Sequence, residues 1–178
     1  MRAMRGIATT MMAMALPQTV HAAPPSQLLG KSVTVSWQES RMSRNVGEAA
    51  FHNATAAHDL ITYVSSEGRV FTRFTGSYRG ATGKSEQVAG QGSTRVPRFE
   101  GGTMEIFSPY AGGGGMRHIV VTFDSGFGSC SASVTNAGQP GTTVFRGFSL
   151  IEKRPVEFHS VSMSGATCSV RAGNVFAQ

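Results

Sequence analysis

Residues 32–37 read SVTVSW, and this stretch decides the fold. Apolar side chains alternate with hydroxyl side chains along it. Successive side chains of a β-strand point to opposite faces, so the alternation predicts a strand that is buried on one face only. The buried face would carry Val33, Val35 and Trp37, and the exposed face Ser32, Thr34 and Ser36.

Residues 58–75, HDLITYVSSEGRVFTRFT, contain two β-rich runs on either side of residues 65–68, SSEG. Gly68 suits a tight turn because glycine adopts positive φ angles that other residues avoid. The segment therefore predicts a β-hairpin.

Further strands are predicted downstream, over residues 103–109, 116–124, 131–135, 142–148, 156–163 and 168–171. Eight or nine short strands separated by turn residues are typical of an all-β fold. We expect a single antiparallel β-sandwich or an up-and-down β-barrel of about eight short strands.

Two segments do not follow this pattern. Residues 45–57 are alanine-rich and are compatible with a short helix or with a continuation of the first sheet edge. Residues 76–102 are rich in Gly and Ser, which predicts either a long flexible loop or a pair of irregular edge strands. Long loops inside a domain are often functional.

The first 22 residues are typical of a secretory signal peptide. Arg2 and Arg5 precede a short apolar stretch at residues 6–16, and small residues surround the expected cleavage site after Ala22. The stretch is shorter than the roughly 18 apolar residues that a membrane span needs. We therefore expect a secreted or periplasmic protein with a single β domain over residues 23–178 and no transmembrane segment.

Loss of this leader lowers the positive charge of the chain. The full sequence has 16 Lys and Arg residues against 10 Asp and Glu, and Arg2 and Arg5 belong to the leader. The remaining chain is modestly basic and has the length of one compact domain.

Cys130 and Cys168 are the only cysteines, and both lie beyond the leader. In an oxidising compartment we expect them to form a disulfide. The alternatives are a structural metal site or a reactive thiol. Two thiols without a nearby Cys-x-x-Cys or Cys-x-x-His pattern are poor zinc ligands. Each cysteine follows a predicted Gly/Ser turn and precedes an alternating strand.

Four segments carry a resemblance to a known group of proteins: GKSVTVSWQESRMSR, TYVSSEGRVFTRF, FDSGFGSCSASV and SGATCSVRAGNVF. They resemble segments of small uncharacterised exported β-proteins of rhizobial-type alphaproteobacteria. The resemblance runs over most of the exported chain. It implies a secreted or periplasmic bacterial protein with both cysteines in matching contexts, and it implies no catalytic residue.

Motifs for catalysis or cofactor binding are not found. Residues 83–85 read GKS, but Tyr78 occupies the position of the first glycine of a phosphate-binding loop. No serine lies in a G-x-S-x-G motif. We therefore expect no cofactor, no metal and no catalytic residue. An exported hydrolase whose residues converge only in three dimensions is an alternative, because paired carboxylates can come from distant positions.

Histidines and carboxylates recur on two of the predicted strands. His118 and Asp124 are an even number of residues apart, as are Glu157 and His159, so each pair shares a strand face. If the two strands were neighbours, these side chains could form a metal site. Because no compact ligand spacing is present, solvent-exposed polar faces are favoured. His52 and His58 are expected in a loop and at a strand edge.

Arg69, Arg73 and Arg79 are separated by even numbers and would form one stripe on a continuous strand. Such a stripe would attract polyanions, for example acidic polysaccharide, lipopolysaccharide phosphate or nucleic acid. Alternatively, the charges keep an exposed strand soluble and prevent edge pairing.

The preferred interpretation is a non-enzymatic secreted or periplasmic β-domain that binds an anionic envelope or extracellular polymer. A hydrolase and a small-ligand-binding or inhibitor barrel are the alternatives. The oligomeric state is not predicted.

Overall fold

The computed structural model describes residues 23–79, 85–89, 97–110, 115–137, 144–149 and 154–177. The predicted signal peptide lies outside the described residues. About 71% of the described chain is β-strand, and two short 3-10 helices lie at Ser26–Leu28 and Val175–Ala177. No helix in this part of the chain has the length and apolar character required to cross a membrane.

Ten strands are described: β1 (Lys31–Asn45), β2 (His52–Val64), β3 (Val70–Arg79), β4 (Ser85–Ala89), β5 (Arg98–Glu100), β6 (Thr103–Pro109), β7 (Met116–Phe123), β8 (Cys130–Ala137), β9 (Phe145–Ser149) and β10 (Arg154–Ala172). They form a six-stranded sheet with the order β4-β3-β2-β1-β10-β9 and a four-stranded sheet with the order β5-β6-β7-β8. All pairings are antiparallel.

The strand order is that of an up-and-down barrel opened at two places. Strands that follow each other in sequence are neighbours, and β10 returns to pair with β1. Within the described residues, pairing is interrupted between β4 and β5 and between β8 and β9. The inner faces of the two sheets together enclose the core, so the predicted all-β fold is confirmed.

The SVTVSW stretch lies in the middle of the sheet, within β1. Val33, Val35 and Trp37 are at most 1% exposed, as the alternation predicts. Ser32 is on the opposite face but is also buried, and its hydroxyl donates a hydrogen bond to the Gly173 carbonyl. The C-terminal segment therefore covers this end of the outer face.

The predicted hairpin is confirmed as β2 and β3. The turn closes through a 2.8 Å hydrogen bond from the Ser65 amide to the Arg69 carbonyl. Gly68 adopts a φ of +79°, the conformation for which glycine is suited.

Both ambiguous segments contribute to sheets. β1 extends to Asn45 and β2 begins at His52, so residues 45–57 are two strand ends and a connecting turn rather than a helix. Within residues 76–102, β4 and β5 each lie at the edge of a sheet. Residues 80–84 and 90–96 lie outside the described residues.

Residues 154–172 form one long strand where two strands separated by a turn were predicted. The pairing with β1 shifts twice, between Ser36 and Gln38 and between Ser40 and Met42. At each shift β10 contains one extra residue, and Gly165 (φ +62°) and Ser160 (φ +51°) adopt positive φ angles there. The prediction of a turn before Cys168 was wrong because these positive φ angles form β-bulges, which bend and twist a strand without ending it.

Two apolar clusters fill the space between the sheets. The larger contains Trp37, Leu60, Ile106, Ile119 and their neighbours from both sheets. The smaller cluster consists of Tyr110, Phe145 and Phe158, with Val156 and Val161 packed against it.

The disulfide between Cys130 and Cys168 is confirmed. It joins β8 of the four-stranded sheet to β10 of the six-stranded sheet, with 5.5 Å between the Cα atoms. The bridge therefore fixes one sheet to the other next to a place where the barrel is open.

We predict that Cys130→Ser, Cys168→Ser and the double variant lose similar amounts of stability. Each change removes the same bridge, which spans 38 residues, and the chain-entropy estimate for such a loop is about 4 kcal/mol. Urea denaturation of the three variants and the parent measures the loss. Thiol labelling of the unreduced, unfolded parent provides the control, and two free thiols there would refute the pairing.

Candidate functional site

Three ionisable side chains are almost completely buried on the largely apolar inner faces of the sheets. Glu39 is on β1, His58 on β2 and Arg117 on β7, and their exposed fractions are 2%, 1% and 4%. The prediction that His58 lies at a strand edge was wrong, because its position in β2 places it on the same face as Leu60 and Val64.

The Glu39 carboxylate is the centre of this buried cluster. Arg117 donates to Glu39 Oε2 from Nε at 2.8 Å, and its Nη2 lies 2.7 Å from the same oxygen. Arg41 donates from Nη1 to Glu39 Oε1 at 3.2 Å, and His58 Nε2 lies 3.2 Å from Oε2. Since Arg117 belongs to the four-stranded sheet, the pair joins the two sheets.

Aromatic rings surround the charged groups. The His58 ring lies 5.1 Å from both Trp37 and Phe74, measured between ring centroids. The Arg117 guanidinium lies 4.4 Å from the Tyr110 ring centroid. Rings in these positions replace water around the ions, so the attraction between Glu39 and the arginines is stronger than at a surface.

Burial alone would raise the pKa of Glu39. The hydrogen bond with His58 and the charges of Arg117 and Arg41 outweigh this effect and lower the pKa from 4.5 to about 2. Burial lowers the pKa of His58 below its usual 6.5, although the hydrogen bond with Glu39 acts in the opposite direction. Near neutral pH the cluster therefore holds an ionised Glu39 and a neutral His58.

These protonation states give the cluster a structural role. A general acid or base works best with a pKa near the operating pH. The Glu39 pKa is far below that range, and both carboxylate oxygens are engaged by arginines. The cluster therefore forms an ion pair between the two sheets.

Sequence reasoning missed this cluster, but a signal for it exists. Glu39 lies two residues after Trp37, on the strand face of Val33 and Val35. Arg117 lies two residues before Ile119 and therefore shares its strand face. A charged residue at an apolar position of a strand indicates a buried, paired charge. Which charges pair is decided by the contact between sheets.

The histidines and carboxylates predicted to share strand faces serve separate interactions. β7 and β10 belong to different sheets, so His118 and His159 are not on neighbouring strands. His118 Nε2 lies 2.6 Å from Glu105 Oε1, while Glu157 accepts a 2.9 Å hydrogen bond from Arg44. Among the described residues, no group of three or more His, Cys, Asp or Glu side chains is placed to hold a metal ion.

Asp124 stabilises a turn. Its carboxylate accepts a 2.8 Å hydrogen bond from the Gly128 amide and a 3.0 Å hydrogen bond from the Ser129 hydroxyl. The residue therefore acts within the β7–β8 connection.

The three arginines of the predicted stripe occupy different settings. Arg69 is exposed in the turn before β3, and Arg73 lies on the outer face of β3. Arg79 is the last residue of β3, and its side chain lies outside the described part of the structure. The structure therefore places Arg69 and Arg73 near one end of the hairpin.

Arg73 lies beside aromatic rings, and the sequence analysis did not predict this contact. Its guanidinium lies 4.9 Å from the Phe176 ring centroid. Tyr63 stacks on Phe71 at 6.2 Å and meets Phe176 edge-on at 6.4 Å. We refer to Tyr63, Phe71, Arg73 and Phe176 as the aromatic–arginine cluster.

The chain matches no protein-family model, no curated protein and no solved structure. Its function is therefore argued from the geometry of these two clusters.

We predict that Glu39→Gln destabilises the protein by about 3 to 5 kcal/mol, because it leaves Arg117 buried without its counter-charge. Chemical denaturation measures the loss. Glu105→Gln is the matched control, since Glu105 forms a partly exposed pair with His118 and its loss should cost less than about 1 kcal/mol. Equal losses in the two variants would contradict a special role for the buried pair.

We also predict that stability decreases in acid in two stages. The pKa values of Glu39 and His58 are both lower in the folded protein than in the unfolded chain. The unfolded chain therefore binds more protons, and acid favours unfolding. The His58 contribution is complete above about pH 6.5 and decreases below it. The Glu39 contribution is complete above pH 4.5 and is lost between pH 4.5 and about 2.

Unfolding free energies measured from pH 8 to pH 2 test this prediction. Glu39→Gln should lose less stability than the parent below pH 4.5, so the two curves should converge there. Parallel curves down to pH 2 would show that Glu39 does not cause the acid sensitivity.

Proposed function

We propose that the protein is a non-enzymatic β-domain that acts in the periplasm or outside the cell and binds an anionic polymer through the outer face of the six-stranded sheet. The observation that carries this proposal is the aromatic–arginine cluster. It combines a positive charge with ring surfaces on one side of the sheet.

The geometry of the cluster suits anion binding. Phe71 is 47% exposed, so its ring is open to a ligand. Phe176 packs against the Arg73 guanidinium and orients it, which reduces the entropy lost when an anion binds. Tyrosine, phenylalanine and arginine are also enriched in the interfaces between proteins.

A second cation, Arg171, lies in the cross-strand row of Phe71 and Tyr63, next to the row of Arg73. The pairing register aligns Phe71 with Tyr63, Tyr63 with Ser32, and Ser32 with Arg171. Arg171 is exposed on β10. The C-terminal segment covers Ser32, so Arg171 offers an anion a second contact on the far side of that segment.

Two further observations support the proposed compartment. The first 22 residues are typical of a signal peptide. The disulfide between Cys130 and Cys168 is a bond that persists in oxidising compartments.

We predict that the protein is retained on a heparin column at low salt and that Arg69→Gln and Arg73→Gln elute at lower salt than the parent. Each arginine that contacts an anion makes binding more sensitive to salt. Each loss should therefore reduce the slope of log affinity against log salt concentration by about 1 or less. Elution over a series of salt concentrations gives that slope.

Arg98→Gln is the matched control. Its side chain is 65% exposed and lies on β5 of the other sheet. The proposal fails if the parent is not retained at low ionic strength, or if Arg98→Gln shifts elution as much as Arg73→Gln does.

A further inference from the structure

The outer face of the six-stranded sheet carries a continuous strip of short, neutral, polar side chains along β1 and β10. Four consecutive outward-facing pairs contain only hydroxyl or amide side chains: Thr34 with Ser169, Ser36 with Thr167, Gln38 with Ser164, and Ser40 with Ser162. We refer to these eight residues as the polar strip.

The strip is open to solvent along most of its length. Gln38, Ser40, Ser162, Ser164 and Thr167 are exposed. From residue 34 to residue 40 it is roughly 20 Å long, at about 3.3 Å per residue. It runs along the two longest strands of the sheet, and its side chains are short, so a ligand can approach the backbone closely.

The aromatic–arginine cluster lies at one end of the strip. The C-terminal segment crosses the outer face there, because Ser32 Oγ donates a 2.7 Å hydrogen bond to the Gly173 carbonyl and accepts one from the Val175 amide at 3.3 Å. This crossing places Phe176 beside Arg73 and Tyr63. A ligand held by the cluster would therefore continue along the strip.

The polar strip carries no charge of its own. None of its eight residues is charged, and the paired positions on β2 add only one ionised side chain, Asp59, which accepts a hydrogen bond from Ser36. A ligand lying on the strip would therefore be held there by hydrogen bonds and not by counter-charges.

The chemistry of the strip instead matches a sugar chain. Each hydroxyl both donates and accepts hydrogen bonds, and the Gln38 amide does the same, as sugar hydroxyls require. Asp59 can accept hydrogen bonds from those hydroxyls. Aromatic rings such as Phe71 and Tyr63 present apolar surface to the C–H faces of sugar rings.

We infer that the ligand is an acidic polysaccharide, with one carboxylate or sulfate at Arg73 and the sugar chain lying along the polar strip. This inference rests on the proposed polyanion binding and specifies its substrate class. Solubility alone does not account for the strip, since Lys and Glu would keep an outer face soluble and none of the eight positions carries them.

Calorimetric titration of the purified protein tests the inference, with polygalacturonate and oligodeoxythymidylate of matched charge as ligands. The strip variant Ser164→Ala/Thr167→Val removes two exposed hydroxyls. Because both hydroxyls are lost as hydrogen-bonding partners, we expect the affinity for polygalacturonate to decrease about fivefold or more. DNA binding should be weaker than polygalacturonate binding in the parent and unchanged in the variant.

The matched control is Thr122→Val/Ser131→Ala, an exposed cross-strand pair of the same residue types on β7 and β8. It should bind polygalacturonate like the parent. If DNA binds as tightly as polygalacturonate and the strip variant changes nothing, the polysaccharide inference is overturned and polyanion binding stands. If neither ligand binds, both proposals fail.

Discussion

The buried ion pair between Glu39 and Arg117 is the constraint on which the arrangement of the two sheets depends. The residues are 78 positions apart, and both are almost completely shielded from water. A buried charge is tolerated only when a counter-charge and hydrogen bonds compensate for lost hydration. The sheets must therefore face each other in the one arrangement that brings the Arg117 guanidinium to the Glu39 carboxylate. The disulfide between Cys130 and Cys168 adds a covalent connection between the same two sheets.

This constraint also determines the strand faces. Side chains alternate along β1, so a shift of one residue would expose Glu39 and Trp37 and bury the hydroxyls beside them. The inner face of β1 stabilises the fold, whereas its outer face contributes half of the polar strip. The bulges at Ser160 and Gly165 keep β10 paired with β1 over this length while bending it. Stability and the proposed binding surface therefore use opposite faces of the same two strands.

Much of the fold could be predicted from local patterns. The alternation in residues 32–37 and 103–109 and the turn glycine Gly68 identify β1, β6 and the β2–β3 hairpin, because strand periodicity and turn conformation are properties of short segments. The join between residues 156–163 and 168–171 could not be predicted in this way. Glycine before a cysteine is compatible with a turn or with a bulge, and only pairing with β1 selects the bulge.

The sequence by itself determined the all-β class, the hairpin and the pair of cysteines available for a disulfide, since these follow from alternation, turn residues and composition. Only the tertiary structure decided that Glu39 meets Arg117, that Phe176 covers Arg73, and that the strands divide into two sheets. The physical reason is that each of these features joins residues far apart in the chain, so its free energy depends on which sheet faces and strand ends meet. The polar strip depends on both sequence and tertiary structure. Its hydroxyl residues can be read from the sequence of each strand, but they align only when β10 pairs with β1.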